Sequence, residues 1–121
     1  MVMLQRTRLY KILTRKDWAR AQQLGFTQTV LDEGDGFVHL SGRGQVAETL
    51  SLHYRGVKAT QLLEFVEETL TGRLVWEPSR GGQSFPHLYD KLFIKESVRN
   101  WTLDLDADGL PQLPKDIDAC I

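Results

Sequence analysis

The stretch from Arg8 to Gly25 leaves this chain the least choice of fold. Arg8 to Leu13 alternates polar and apolar side chains over Tyr10 and Ile12, the period of a strand. Thr14 then stands as a helix N-cap, with Asp17 three residues on to complete a capping box. Trp18, Ala21 and Leu24 fall on one helical face, and Gly25 supplies the left-handed stop. A strand that runs straight into a helix must bury one face of each against a shared core, so the chain starts as a mixed fold.

The remainder extends that pattern. From Gln28 to Gly36 the acids Asp32, Glu33 and Asp35 alternate with glycine and predict a solvated turn, leading into a strand at Phe37 to Ser41. Ser41 is placed to cap a second helix, in which Val46, Leu50 and Tyr54 repeat every four residues until Gly56. Further strands are predicted at Gln61 to Val66, Arg73 to Glu77, Leu92 to Val98 and around Trp101 to Leu105. Pro78 to Pro86, rich in Gly, Ser and Pro, reads as a loop, and the chain closes on an acidic tail.

The fold class is α+β: one small domain of short, mostly antiparallel strands in one or two curved sheets with two helices. The domain covers residues 8–113, with an N-terminal extension at 1–7 and a tail at 114–121. At 121 residues a single domain can bury roughly two-thirds of its unfolded surface, so no metal or disulfide is needed to hold it.

Charge and composition narrow the function classes. Fifteen Lys and Arg against 16 Asp and Glu give a net charge of −1, which argues against non-specific nucleic-acid or membrane binding. The balance is uneven along the chain: Arg6, Arg8, Lys11, Arg15, Lys16 and Arg20 face only Asp17 in the first 20 residues. Asp104, Asp106, Asp108, Asp116 and Asp118 face only Lys115 in the last 21. The two ends are expected to attract each other or to form separate solvated faces. The longest apolar run, Met1 to Leu4, is too short for a membrane span or a signal-peptide core. The sole cysteine, Cys120, allows no internal disulfide, and a cytoplasmic location is the expectation.

Two local patterns invite a cofactor reading and fail it. Gly42-Arg43-Gly44-Gln45-Val46-Ala47 has the dinucleotide spacing, but His39 interrupts the preceding strand and the chain is too short for two nucleotide-binding halves. What survives is an anion site built from backbone amides of Ser41 to Gln45 beside Arg43. Asp104 to Gly109 copies the start of a calcium loop, yet Lys115 stands where a bidentate Glu belongs, so it reads as an Asp-rich turn. His39, His53 and His87 have no local zinc spacing, and no metal site is expected. No Gly-x-Ser-x-Gly elbow is present to make a serine nucleophile.

Three segments carry more polar chemistry than a core needs. His39 and Ser41 project from one side of a strand whose other side carries Val38 and Leu40. Trp76-Glu77-Pro78-Ser79-Arg80-Gly81-Gly82 brings a carboxylate and a guanidinium together before two glycines that let backbone approach a ligand. Phe85-Pro86-His87-Leu88-Tyr89 adds an imidazole and a phenol. The candidate catalytic residues are His39 and Glu77. The candidate substrate-binding residues are Ser41, Arg80, Gly81, Gly82, His87 and Tyr89.

Tyr10-Lys11-Ile12, Trp18, Ala21, Gly25, Leu31-Asp32, Asp35 to Ser41, Gln45, Trp76-Glu77, Ser79 to Gly82 and Phe85 to Tyr89 together resemble the small bacterial domain of unknown function family 952, from about Leu9 to Leu113. That family is distantly similar in fold to ADP-ribosyltransferases and RNA 2′-phosphotransferases, which cleave NAD between two small sheets. The resemblance therefore implies an ADP-ribosyltransferase-like fold. It also implies a transferase or hydrolase acting on NAD or on an ADP-ribosylated or phosphorylated substrate. No cofactor is required, and NAD enters as substrate. In this reading His39 and Arg80 hold ribose and phosphate, Glu77 orients or deprotonates the nucleophile, and Tyr89 stacks or donates. The alternative is a non-catalytic small-ligand or anion-binding module in the same cleft. An interaction scaffold using the basic N-terminal segment is a third reading. Oligomeric state is not legible in the sequence.

Overall fold

A computed structural model describes residues 7–117, together with the backbone but not the side chain of Asp118. Met1 to Leu4, Arg6 and Cys120 lie outside the described residues. The strand β1 (Arg8–Leu13) and the helix α1 (Arg15–Leu24) stand where the sequence puts them. Thr14 Oγ1 accepts the Asp17 amide at 3.1 Å, and Gly25 takes a left-handed φ of 86° while its N–H closes on the Ala21 carbonyl.

The acidic turn is in fact a helix, α2 (Val30–Asp35), capped by Thr29 on the Asp32 amide and ended by left-handed Gly36. The predicted strand over Phe37 to Ser41 is two strands, β2 (Val38–His39) and β3 (Ser41–Gly42), with Leu40 between them. Ser41 caps nothing. A 3-10 turn at Arg43–Gln45 leads into α3 (Val46–His53), and Gln45 Oε1 accepts the Gly42 amide at 2.8 Å. Of the backbone amides expected to form an anion site at Ser41 to Gln45, that of Gly42 is already bonded to Gln45, and Ser41 and Gly42 are paired with β1.

Next come β4 (Thr60–Val66) and β5 (Leu74–Pro78). The loop after them ends earlier than predicted, because Ser84, Phe85 and Pro86 belong to β6 (Ser84–Leu88). Pro86 is tolerated inside the sheet because only its carbonyl is asked for, and it accepts the Leu40 N–H at 3.1 Å. No strand forms over Leu92 to Val98: Phe93 bridges Phe26 singly and Ile94–Glu96 makes a 3-10 turn. The strand there is β7 (Arg99–Leu103), followed by a short helix α4 (Lys115–Asp118). Asp104 to Gly109 is the Asp-rich turn, with Asp106 Oδ1 accepting the amides of Asp108 and Leu110.

All strand pairs are antiparallel. One sheet has the order β3-β1-β4-β7 and the other β2-β6-β5. The two inner strands of the first sheet, β1 and β4, are buried on both faces, which is why they are less alternating in burial than a half-exposed strand would be, while β7 at the edge is largely exposed. Leu9, Leu13, Leu63 and Phe65 face Ala21, Val38, Leu88 and Leu92; Tyr10, Ile12 and Leu62 face Val46, Leu50, Leu103 and Ile117. Among the described residues no ion pair links the basic first 20 residues to the acidic tail: Lys11 pairs with Asp32, and Asp116 with Arg99. No described helix is long and apolar enough to cross a membrane.

Candidate functional site

The chain crosses from one sheet to the other at Leu40, and β3 runs beside β1 only at Leu9 and Tyr10. From Lys11 onward that edge of β1 has no strand against it. A cleft of about 820 Å³ opens there. Lys11 and Ile12 of β1, His39 to Ser41, and Phe85 and His87 of β6 line it from the sheets. Thr14, Asp17 and Val30 to Asp32 line it from the helices α1 and α2, with Thr49, His53 and Tyr54 from α3 and Ser79 and Arg80 from the loop after β5. Its size is that of a small-molecule site.

Lys11 and Asp32 tie α2 to β1. Their side chains are 5% and 7% exposed, and Lys11 Nζ donates to Asp32 Oδ2 at 2.7 Å and to the His39 carbonyl at 3.0 Å. The other oxygen, Asp32 Oδ1, accepts the His39 amide at 3.1 Å and meets His39 Nδ1 at 2.6 Å. His39 Nε2 meets Asp35 Oδ2 at 2.9 Å. Both nitrogens of His39 thus face carboxylates, an arrangement filled completely only by the doubly protonated ring.

Burial pushes the Asp32 carboxyl up, but the His39 hydrogen bond and the charge of Lys11 outweigh it and hold the group down at about 2. Burial likewise pulls the Lys11 ammonium below its ordinary value, against the charge of Asp32. Because the Asp32 value is depressed by folding, its contribution to stability is complete above the ordinary 3.8 and is lost as pH falls from there towards about 2. Urea midpoints measured through this acid range should fall for the natural chain. In Asp32→Asn the part of the fall owed to this carboxyl should be missing.

A second histidine sits across the ladder from the first, His39 opposite His87 in register, with ring centroids 5.6 Å apart. His87 Nδ1 meets Glu77 Oε1 at 2.7 Å, and the Tyr89 hydroxyl donates to the same oxygen at 2.6 Å. These two hydrogen bonds, Tyr89 first, hold the Glu77 carboxyl below the usual carboxylate range, while Glu77 pushes the Tyr89 hydroxyl up. Phe37 stacks on His87 at 4.0 Å and 25° and touches His39 and Tyr89 as well. The His87 ring is thereby fixed in tautomer and plane, and its Nε2 has no hydrogen-bond partner among the described residues.

Arg80 lies over the Phe85 ring at 4.9 Å, and only its Nη2 is engaged, with Thr49 Oγ1 at 3.2 Å and Glu48 at 3.3 Å. Nε and Nη1 make no hydrogen bond to any described residue.

Of the residues singled out in the sequence, His39, Ser41, Arg80 and His87 meet on the cleft wall. Glu77 and Tyr89 fall on the same face of the sheet as His87 by alternation, but they do not line the cleft: both are engaged with one another and with His87 Nδ1 through Glu77 Oε1. Gly81 and Gly82 take left-handed φ values of 66° and 79°, so the chain needs them for the turn that delivers Arg80, and they do not line the cleft. Lys11, Asp32, His53 and Thr49 were missed. Thr49 and His53 are four apart on α3, the spacing that puts two side chains on one helix face, and that signal was available. Thr29, Asp32 and Gly36 repeat the cap, acid and stop of Thr14, Asp17 and Gly25, a second usable signal.

Comparison with known proteins gives a consistent result. The family model described as "Protein of unknown function (DUF952)" matches residues 12–100. The crystal structure of protein CC0527 from Caulobacter crescentus is 44% identical with a TM-score of 0.86, covering 93% of this chain and 99% of that one. A crystal structure of a double mutant of CC0527 is 43% identical with a TM-score of 0.86 over the same shares. The solution NMR structure of CC0527 is 47% identical with a TM-score of 0.77, over 88% of this chain and 92% of that one. No curated protein matches the sequence.

Proposed function

The chain belongs to the family described as Protein of unknown function (DUF952), and on that premise we propose that its cleft is the site of a transferase or hydrolase acting on NAD or on an ADP-ribosylated or phosphorylated substrate. One observation carries the reading: a histidine held through Nδ1 by a carboxylate, with Nε2 unengaged, in the same cleft as an arginine with unspent donors. An imidazole so oriented is a general acid and base, and a guanidinium with two uncommitted nitrogens, Nε and Nη1, can hold a phosphate.

In this reading His87 is the catalytic residue. Its Nε2 takes the proton of the attacking hydroxyl or water; with NAD the nicotinamide leaves neutral and that proton passes on to solvent, whereas with a phosphate ester it returns to the leaving alkoxide, while Glu77 keeps Nδ1 protonated and Tyr89 keeps Glu77 in place. Arg80 holds the phosphate, and Ser41 contacts the ligand from the cleft wall. His39 acts through position, since Asp32 and Asp35 occupy both its nitrogens and Phe37 couples it to the His87 ring. Two small antiparallel sheets with a cleft at their seam also suit the distant likeness to ADP-ribosyltransferases and RNA 2′-phosphotransferases.

Isothermal titration with NAD and ADP-ribose, followed by assays for release of nicotinamide or phosphate, tests this. Binding tighter than about 1 mM together with slow turnover is expected; neither at that concentration would sink the proposal. The alternative, a binding module without chemistry, is favoured by one fact: Glu77, the one carboxylate among the residues singled out, does not line the cleft. Binding without turnover under every substrate tried decides for it.

A further inference from the structure

Among the cleft residues to which the reading above gives no task, one apolar pair stands out. Val30 and Leu31, the first two residues of α2, are 89% and 62% exposed and both border the cleft. A helix start favours acidic or small polar residues, and nothing in the packing of α2 calls for aliphatic ones. The helix is secured instead by Asp32 on Lys11 and His39 and by its two caps. Single exposed aliphatics are ordinary, but two adjacent ones on the rim of a cleft with free polar groups elsewhere in it are the composition of a ligand site.

The polar end lies at Arg80, which touches Thr49 on α3. Tyr54, the residue that follows α3, lines the same cleft as Val30 and Leu31. Thr49 and Tyr54 are five residues apart, about 7.5 Å along a helix at 1.5 Å per residue. A free phosphate is too small to touch both ends.

Resting on the proposed function, we infer that the cleft takes a bipartite ligand, a nucleotide whose phosphate lies at Arg80 and whose base lies against Val30 and Leu31, and that these two residues set its specificity. The aliphatic pair covers one face of the ring, and Phe85 holds the Arg80 plane for the phosphate.

The test compares AMP with ribose 5-phosphate by isothermal titration, on the natural chain and on a Val30→Ser/Leu31→Ser double variant. Neither position is packed, so the variant should melt with the natural chain. The natural chain should bind AMP about tenfold or more tightly over ribose 5-phosphate, and the variant should lose that preference while keeping its affinity for ribose 5-phosphate. An AMP preference that survives the double substitution overturns the inference, as does its absence from the natural chain or an equal weakening of both ligands. If neither ligand binds the natural chain, the phosphate site at Arg80 is wrong, and the proposed function fails along with the inference.

Discussion

Asp32→Asn will destabilise the fold by about 3–5 kcal/mol, the cost of leaving one member of a buried ion pair without its partner. The residue left behind is Lys11, whose side chain is 5% exposed and whose ammonium has, among the described residues, only Asp32 Oδ2 and the His39 carbonyl as acceptors. An asparagine keeps the shape and offers one carbonyl oxygen, but it removes the negative charge that matches Nζ. Replacing both residues with apolar ones, Lys11→Met with Asp32→Leu, should do less harm than the single change, because no charge is then stranded. A residual loss of about 1–3 kcal/mol remains, since the His39 amide loses its acceptor. Urea unfolding of the three variants is the measurement. A single substitution costing under about 1 kcal/mol would mean that the pair does not hold α2 to the sheet.

The second large effect concerns His87. His87→Ala removes the only cleft nitrogen on the proposed reaction path and should lower turnover by about 10²–10⁴-fold, with nucleotide affinity little changed, because Arg80 still holds the phosphate. The substitution also takes away a ring stacked on Phe37, so some loss of stability is expected from packing alone. Imidazole added to the assay separates the two effects. It should restore part of the turnover by occupying the space the ring vacated, and it cannot repair a misfolded chain. Glu77→Gln tests the residue bonded to it: it should shift the pH profile of turnover, because a neutral amide no longer fixes the proton on Nδ1. An unchanged profile would reduce Glu77 to a packing role.

The sequence was most readable where local rules decide the outcome. Thr14, Asp17 and Gly25 specify the ends of α1 in three residues, and the structure follows them. The same grammar wrote α2 with Thr29, Asp32 and Gly36, yet six residues give no apolar period, and acids beside glycines look like a solvated turn. The segment from Leu92 to Val98 misled for the opposite reason. It has strand-forming side chains but pairs only through the single bridge of Phe93 to Phe26, and β4 finds its partner five to seven residues later, with Glu64 opposite Arg99.

The candidate site divides in a similar way. His39, Ser41, Arg80 and His87 stand out as polar groups among aromatic and glycine-rich sequence, and the cleft gathers all four. Lys11 and Asp32 did not stand out, because a lysine in an alternating strand and an aspartate in an acidic stretch are both ordinary until the fold buries them together. Glu77 was legible as a residue with a task but not as one that works through His87. That relation depends on the pairing of β5 with β6, which sets Val75 opposite His87 and leaves Glu77 two residues along the same strand.

Leu40 separates a strand of one sheet from a strand of the other by a single residue, so its neighbours answer to two ladders at once. Removing or adding one residue between Phe37 and Gly42 would turn either His39 or Ser41 to the opposite face and break the pairing of Val38 with Leu88 or of Gly42 with Leu9. Side chains along this seam can be exchanged one for another at a cost set by what each one touches. The count of residues there has no such tolerance, and an insertion would dismantle the cleft even if every residue lining it were kept.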